Sequence, residues 1–166
     1  MSTAVTTARP FARKADEGEA RWFIGALAII KSTGAETGGA MAVVEVRAAE
    51  GFGSPLHVHT LEEEWFYVIE GALTLWVGGQ VIEAPAGSFV FGPKDVPHTF
   101  VVRSPEARFL MGTQPAGFDE FIRAASTPAA RLELPPVPPS EADLEAVVPI
   151  AAEYGMEITG PPGIPA

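Results

Sequence analysis

The sequence predicts an all-β domain, a sandwich or barrel, followed by short C-terminal helices. Three observations carry this reading. Short apolar runs rich in Val, Ile and aromatics recur between residues 21 and 112. Glycine- and proline-containing turns separate them at intervals too short for the helices of βαβ units. The 17 glycines and 16 prolines are spread among those runs, as in a turn-dense β protein, and not gathered in one low-complexity block.

In chain order, residues 1 to 18 are small and polar and are expected to form a loose arm. Trp22–Ile30 and Ala42–Ala48 read as strands, with Gly34 and Gly38-Gly39 punctuating the space between them. Trp65–Ile69 and Leu73–Val77 follow, divided by a turn at Glu70-Gly71. Gly78-Gly79 then separates Leu73–Val77 from Val81–Glu83, a two-residue hairpin signal because glycine accepts positive φ at no steric cost. Phe89–Phe91, Thr99–Val102 and Arg108–Gly112 bring the expectation to about eight strands. Beyond them, Phe118, Phe121 and Ile122 at spacings of three and four predict an amphipathic helix over Ala116–Ser126. RLELPPVPPS reads as an extended proline linker. Ser140 with Asp143 resembles a helix N-cap, and a helix is expected from there to Tyr154, kinked or split at Pro149 and ended by Gly155. The tail GPPGIPA is not helical. The 166 residues therefore divide into an arm over 1–18, a β-barrel domain over 19–114 and a helical, proline-rich extension over 115–166 packed on the barrel.

Composition excludes several function classes. The formal net charge is −10, so nucleic acid and anionic membrane surfaces are unsuitable partners. There is no cysteine, which removes disulfides, thiolate zinc sites and thiol nucleophiles. The longest apolar run, Trp22 to Ile30, falls short of the roughly 20 residues that a membrane span needs. With no leader-type segment at the N-terminus, a cytoplasmic location is expected. No nucleophile elbow and no phosphate-binding glycine loop occurs.

The chemistry concentrates in the histidines, of which there are three: His57, His59 and His98. His57 and His59 form a His-x-His pair, and side chains two apart on a strand share a face roughly 7 Å apart, within reach of one ion. Glu64 opens the run WFYVI, where Glu64, Phe66 and Val68 share a face whose apolar content points inward. An inward carboxylate is costly unless a cation neutralises it. Glu62, in the presumed bend, and Glu63, outward by alternation, are expected to be solvated. Three imidazoles and a carboxylate suit one divalent transition metal: Fe, Mn, Ni, Co or Zn. Phe66, Phe91, Phe100 and Met111 are candidates for a substrate-binding pocket, and Phe118 and Phe121 for capping it.

These residues resemble the two motifs of the cupin superfamily. Gly51, His57-Val58-His59, Glu64 and Gly71 match the first in register, and Gly79, Pro85-Ala86-Gly87 and Pro97-His98 match the second. The resemblance covers roughly residues 40–102 and implies a double-stranded β-helix, or jelly roll. It also implies a metal in the barrel mouth held by His57, His59, Glu64 and His98. Where the second motif often carries an asparagine four residues past its histidine, this chain has Val102, which is not a ligand position. The FIGALAIIKSTGAETGGAMAVVEV lead-in, the PAGFDEFIRAAS helix and the EYGMEITGPP tail are similar in layout to small monocupins grouped with the quercetin 2,3-dioxygenases. That similarity implies a metal-dependent dioxygenase cleaving a flavonol-like or other small enolic or aromatic substrate with O2. In it Glu64, the candidate catalytic residue, either stays a ligand or swings away to accept the substrate hydroxyl proton. The same site would also serve a metal-dependent isomerase, cyclase or lyase of secondary metabolism, or a non-catalytic small-ligand-binding module. A homodimer formed through an exposed sheet edge is the expected assembly.

Overall fold

The computed structural model describes residues 8–166. Its first sheet contains β1 (Glu19–Phe23), β2 (Ala26–Ser32), β3 (Ala42–Ala49), β5 (Glu63–Glu70), β8 (Phe89–Gly92), β10 (Glu106–Gln114) and β11 (Thr127–Pro128). They lie in the order β11-β1-β2-β3-β10-β5-β8. The second sheet contains β4 (Pro55–His59), β6 (Ala72–Val77), β7 (Gln80–Pro85), β9 (His98–Val102) and β12 (Met156–Pro162), in the order β12-β4-β9-β6-β7. Three helices join them: α1 (Gly34–Thr37), α2 (Phe118–Ala124) and α3 (Glu141–Glu153). This is the antiparallel two-sheet architecture of a cupin jelly roll.

Period-two alternation decides what each strand buries. On β5, Glu64, Phe66 and Val68 are buried while Trp65, Tyr67 and Ile69 turn the other way. The inner faces of the two sheets enclose one apolar core. At its centre Phe100 packs on Phe66 and on Phe109, both with ring centroids 5.5 Å apart. Fully burying an aromatic side chain of this kind contributes about 1.5–3 kcal/mol.

Several elements depart from the sequence expectation. The run Trp22–Ile30 is not one strand. It folds at Ile24-Gly25 into the β1–β2 hairpin, with both residues at positive φ, 40° and 96°. The glycine inside the run is the local signal for that turn. The Gly78-Gly79 hairpin is as expected, with φ of 54° and 93°. α3 runs unbroken through Pro149 after a Ser140–Asp143 capping box. Proline denies an amide donor to the Glu145 carbonyl, but that stretch of helix is exposed and water can take the missing bond. The segment after Gly155 pairs as β12 with β4, a partner that its own composition does not reveal.

Residues 1–7, part of the arm expected over 1–18, lie outside the described residues. The remainder of that stretch is tied to the body. Lys31 Nζ donates to the carbonyls of Lys14, Ala15 and Glu17 at 2.7–2.9 Å, and Arg13 donates to the Lys31 carbonyl and pairs with Glu36. No helix among the described residues is long and apolar enough to cross a membrane.

Candidate metal centre

The site forms where the two sheets face each other at one end of the barrel. β4 places His57 and His59 on one face, as strand periodicity requires, and the ladder sets His57 directly opposite His98 of β9. Glu64 reaches the same point from β5 of the other sheet. All four residues are buried, and one ligand atom from each lies within 4.8 Å of the other three. The His59 and His98 rings stack at 5.3 Å with 6° between their planes.

Hydrogen bonding orients each imidazole. His57 Nδ1 faces the Pro55 carbonyl at 2.8 Å, and His98 Nδ1 faces the Val96 carbonyl at 2.9 Å. His59 Nδ1 faces the Glu62 carboxylate at 3.0 Å. Carbonyls and ionised carboxylates only accept, so each Nδ1 carries the proton and each Nε2 presents a lone pair. Those lone pairs converge: His57 Nε2 is 3.2 Å from His59 Nε2, and Glu64 Oε2 is 2.8 Å from His98 Nε2 and 3.2 Å from His59 Nε2. Glu64 Oε1 is buried with no hydrogen-bond partner. Such a cluster of acceptors is repulsive unless a proton or a cation sits among them. The donor set therefore fits a divalent transition metal.

Without a metal, protons supply the positive charge. Burial alone would lower the pKa of His59, but the Glu64 charge and hydrogen bonds to Glu62 and Glu64 override it and push the group up to about 10. Burial, then the charge of His98, brings His57 down to about 4. Burial raises the Glu64 carboxyl, yet the flanking His59 and His98 outweigh it and hold the group well below the usual carboxylate range.

An apolar cavity opens onto the centre. His57, Glu64 and Ser54 are the polar residues on its wall, and Phe52, Phe100, Met111, Phe118 and Phe121 supply much of the apolar lining. The helix α3 and strand β12 close it with Val147, Ala151, Met156 and Ile158. Of the sequence-derived pocket candidates, Phe100 and Met111 lie on this wall. Phe66 does not; it is buried behind Phe100 in the core.

Phe91 is a correction. It is 49% exposed on the outer face of β8, because Val90 and Gly92 take the inward positions on that strand. The stretch SFVFG carries aromatics at alternate positions, and alternation alone does not say which set faces in. Glu62 is the second correction. It is 3% exposed and bound to His59, not solvated, since the bend at Thr60-Leu61 folds it back beneath the centre. A carboxylate three residues past a ligand histidine, across a tight bend, was its only local signal. Glu63 points away from the centre and accepts from the Lys94 amide.

Comparison with known proteins agrees with this architecture. Residues 44–111 match the family model of the cupin domain. The chain is similar to quercetin 2,3-dioxygenase of Bacillus subtilis (strain 168), 26% identical over 143 residues that cover 86% of this chain. It spans 42% of that relative's length. Among solved structures it is similar to KdgF from Halomonas sp., with a TM-score of 0.59, 18% identity and coverage of 68% of this chain and 99% of that one. An RmlC-like cupin from Shewanella frigidimarina NCIMB 400 aligns with a TM-score of 0.58 and 19% identity, covering 68% of this chain and 96% of the other. Both structural likenesses show the fold alone.

Proposed function

We propose, on the premise that this chain carries a cupin domain, that it is a metal-dependent dioxygenase acting on a flavonol-like or other small enolic or aromatic substrate. The observation that carries this reading is the character of the cavity. Its wall is apolar, with aromatic rings from the barrel and from α2 and aliphatic side chains from α3, and its polar groups are confined to Ser54 and to the metal centre. Among the described residues no lysine, arginine or glutamine faces it, so charged or hydroxyl groups of a ligand would find partners only at the metal centre and beside Ser54. A largely apolar molecule with oxygens along one edge suits it: the rings take the body and the oxygens face His57 and Glu64. The similarity to the Bacillus subtilis quercetin 2,3-dioxygenase supports the same substrate class.

In this reading His57, His59, Glu64 and His98 hold one divalent transition metal, Fe, Mn, Ni, Co or Zn. When bound, such an ion supplies Lewis-acid polarisation of the substrate oxygen and, for a redox-active metal, a path to O2. The chain itself does the rest. Phe100, Met111, Phe118 and Phe121 exclude water from the reacting edge. Glu64 lines both the cavity and the centre and has one oxygen without a protein partner, which supports a role as the general base that accepts the enolic hydroxyl proton.

The test is oxygen consumption by metal-analysed protein given quercetin, with a His57→Ala/His59→Ala double variant as control. Metal-dependent uptake by the wild type alone is the expected result. Turnover that persists without oxygen would replace the reading by an isomerase, cyclase or lyase at the same centre. Bound metal with neither activity nor flavonol binding would overturn the substrate class.

A further inference from the structure

Glu62 is the second buried carboxylate at the centre, and neither the metal set nor the cavity wall uses it. It is 3% exposed and lies on the far side of His59 from the converging Nε2 atoms. The three imidazoles do not share one mode of support. His57 and His98 each face the main-chain carbonyl two residues earlier, those of Pro55 and Val96. His59 breaks that pattern. Its Nδ1 faces the Glu62 side chain, three residues later, at 3.0 Å.

A carboxylate acceptor makes a charge-assisted bond, roughly twice as strong as a neutral one, and it raises the donor strength of the opposite ring nitrogen. The surroundings hold this pair in place. Phe118 packs on the His59 ring at 6.2 Å, and the backbone of Gly117 lies beside Glu62 Oε2. Charge points the same way. Glu62 and Glu64 together bring two negative charges into a buried centre of three otherwise neutral imidazoles, and a divalent cation brings that sum to zero.

We propose that Glu62 is a positioning residue of the metal centre: it locks the tautomer and orientation of His59 and completes the charge balance for a divalent ion. This rests on the metal-binding reading above, and on no particular reaction.

The experiment strips the wild type, Glu62→Gln and Glu62→Ala of metal and titrates each with Co2+. Calorimetry reads the Kd and the visible absorption of bound Co2+ reads the coordination. Loss of an outer partner of this kind weakens metal binding ~10–100-fold. That loss is expected for Glu62→Ala, with an altered Co2+ spectrum. Glu62→Gln keeps an acceptor for the imidazole N–H but loses the charge, and should fall between the two with a spectrum closer to the wild type. A wild-type Kd and spectrum in both variants would overturn the role while leaving the metal centre standing. If Glu62→Ala fails to fold, the isosteric Glu62→Gln alone decides, and an unchanged Kd overturns the charge balance. Failure of the wild type itself to bind Co2+ or Zn2+ would remove the metal reading and this role together.

Discussion

Glu64 combines two properties that rarely coexist in one side chain: complete burial and an oxygen without a protein partner. If that oxygen serves as a base, Glu64→Gln should cut turnover of a flavonol at least ~100-fold, within the range of general-base contributions. Metal content, read by elemental analysis, should fall much less. Equal losses of both would make Glu64 a structural ligand only. The histidines give a pH prediction. In the metal-free protein His59 is held protonated up to about 10, so a metal must displace that proton. With the folded pKa raised above 6.5, the proton's stabilising effect is full below about 6.5 and is lost as pH rises through 10. His57, brought down to about 4, works oppositely: its contribution is lost as pH falls from about 6.5 to 4. Between pH 6 and pH 8 His57 is already neutral, so His59 alone makes metal compete better at the higher pH. The rise in Tm on adding Zn2+ should therefore be larger at pH 8 than at pH 6, by scanning calorimetry. Residue-scale reading of the sequence put His57 and His59 on one face, because that spacing is a local property of one strand. It failed for Phe91, where alternation leaves the choice of face open and only the packing of β8 beside β5 turns Val90 and Gly92 inward.

β12 shows how an element outside the barrel's own stretch reaches the centre. Its ladder sets Met156 opposite His59 and Ile158 opposite His57, so the strand carrying two of the candidate ligands is braced by the C-terminal tail. Gly155 makes the turn from α3 into that strand. It sits at φ 77°, and a Cβ there would come within 2.5 Å of the Leu61 side chain. Gly155→Ala combines left-handed strain with overlap and should destabilise the fold by ~1–3 kcal/mol. Urea unfolding would measure it, and Zn2+ affinity should fall in parallel, because the disturbed strand holds His57 and His59. An unchanged affinity would mean that β4 keeps its ligands in place without β12. The turn at Ile24-Gly25 was not read from its glycine, whereas the Gly78-Gly79 hairpin was readable from its glycines and α3 from its N-cap. The pairing of β12 was not, because nothing in MEITGPP distinguishes an exposed tail from a strand that finds an edge nearly a hundred residues away.

At the scale of the whole molecule, the barrel and the extension divide the work. The barrel holds the four candidate ligands, while α2, α3 and β12 supply much of the cavity wall. Ala151 is 3% exposed and lines the cavity from α3, outside the group of candidate ligands. Ala151→Phe should fill part of the cavity, at a cost of ~1–3 kcal/mol for overpacking. Flavonol binding, followed by fluorescence quenching, should weaken at least ~10-fold while the Co2+ Kd stays at the wild-type value. A matched loss of both would place the strain in the barrel itself. This division also suits the comparisons: the family model stops at residue 111, before all three of these elements.

The sequence by itself determined the all-β class, the hairpin at Gly78-Gly79, the helix after the barrel and the convergence of His57, His59, Glu64 and His98. Each of these rests on short-range periodicity or on the chemistry of a compact motif, which a chain carries wherever it folds. Tertiary structure alone decided that Glu62 is buried behind His59, that Phe91 faces outward, and that the tail closes the ligand strand. Burial and edge pairing depend on what arrives from distant parts of the chain, and a carboxylate or an aromatic ring has the same local sequence whether water or protein covers it.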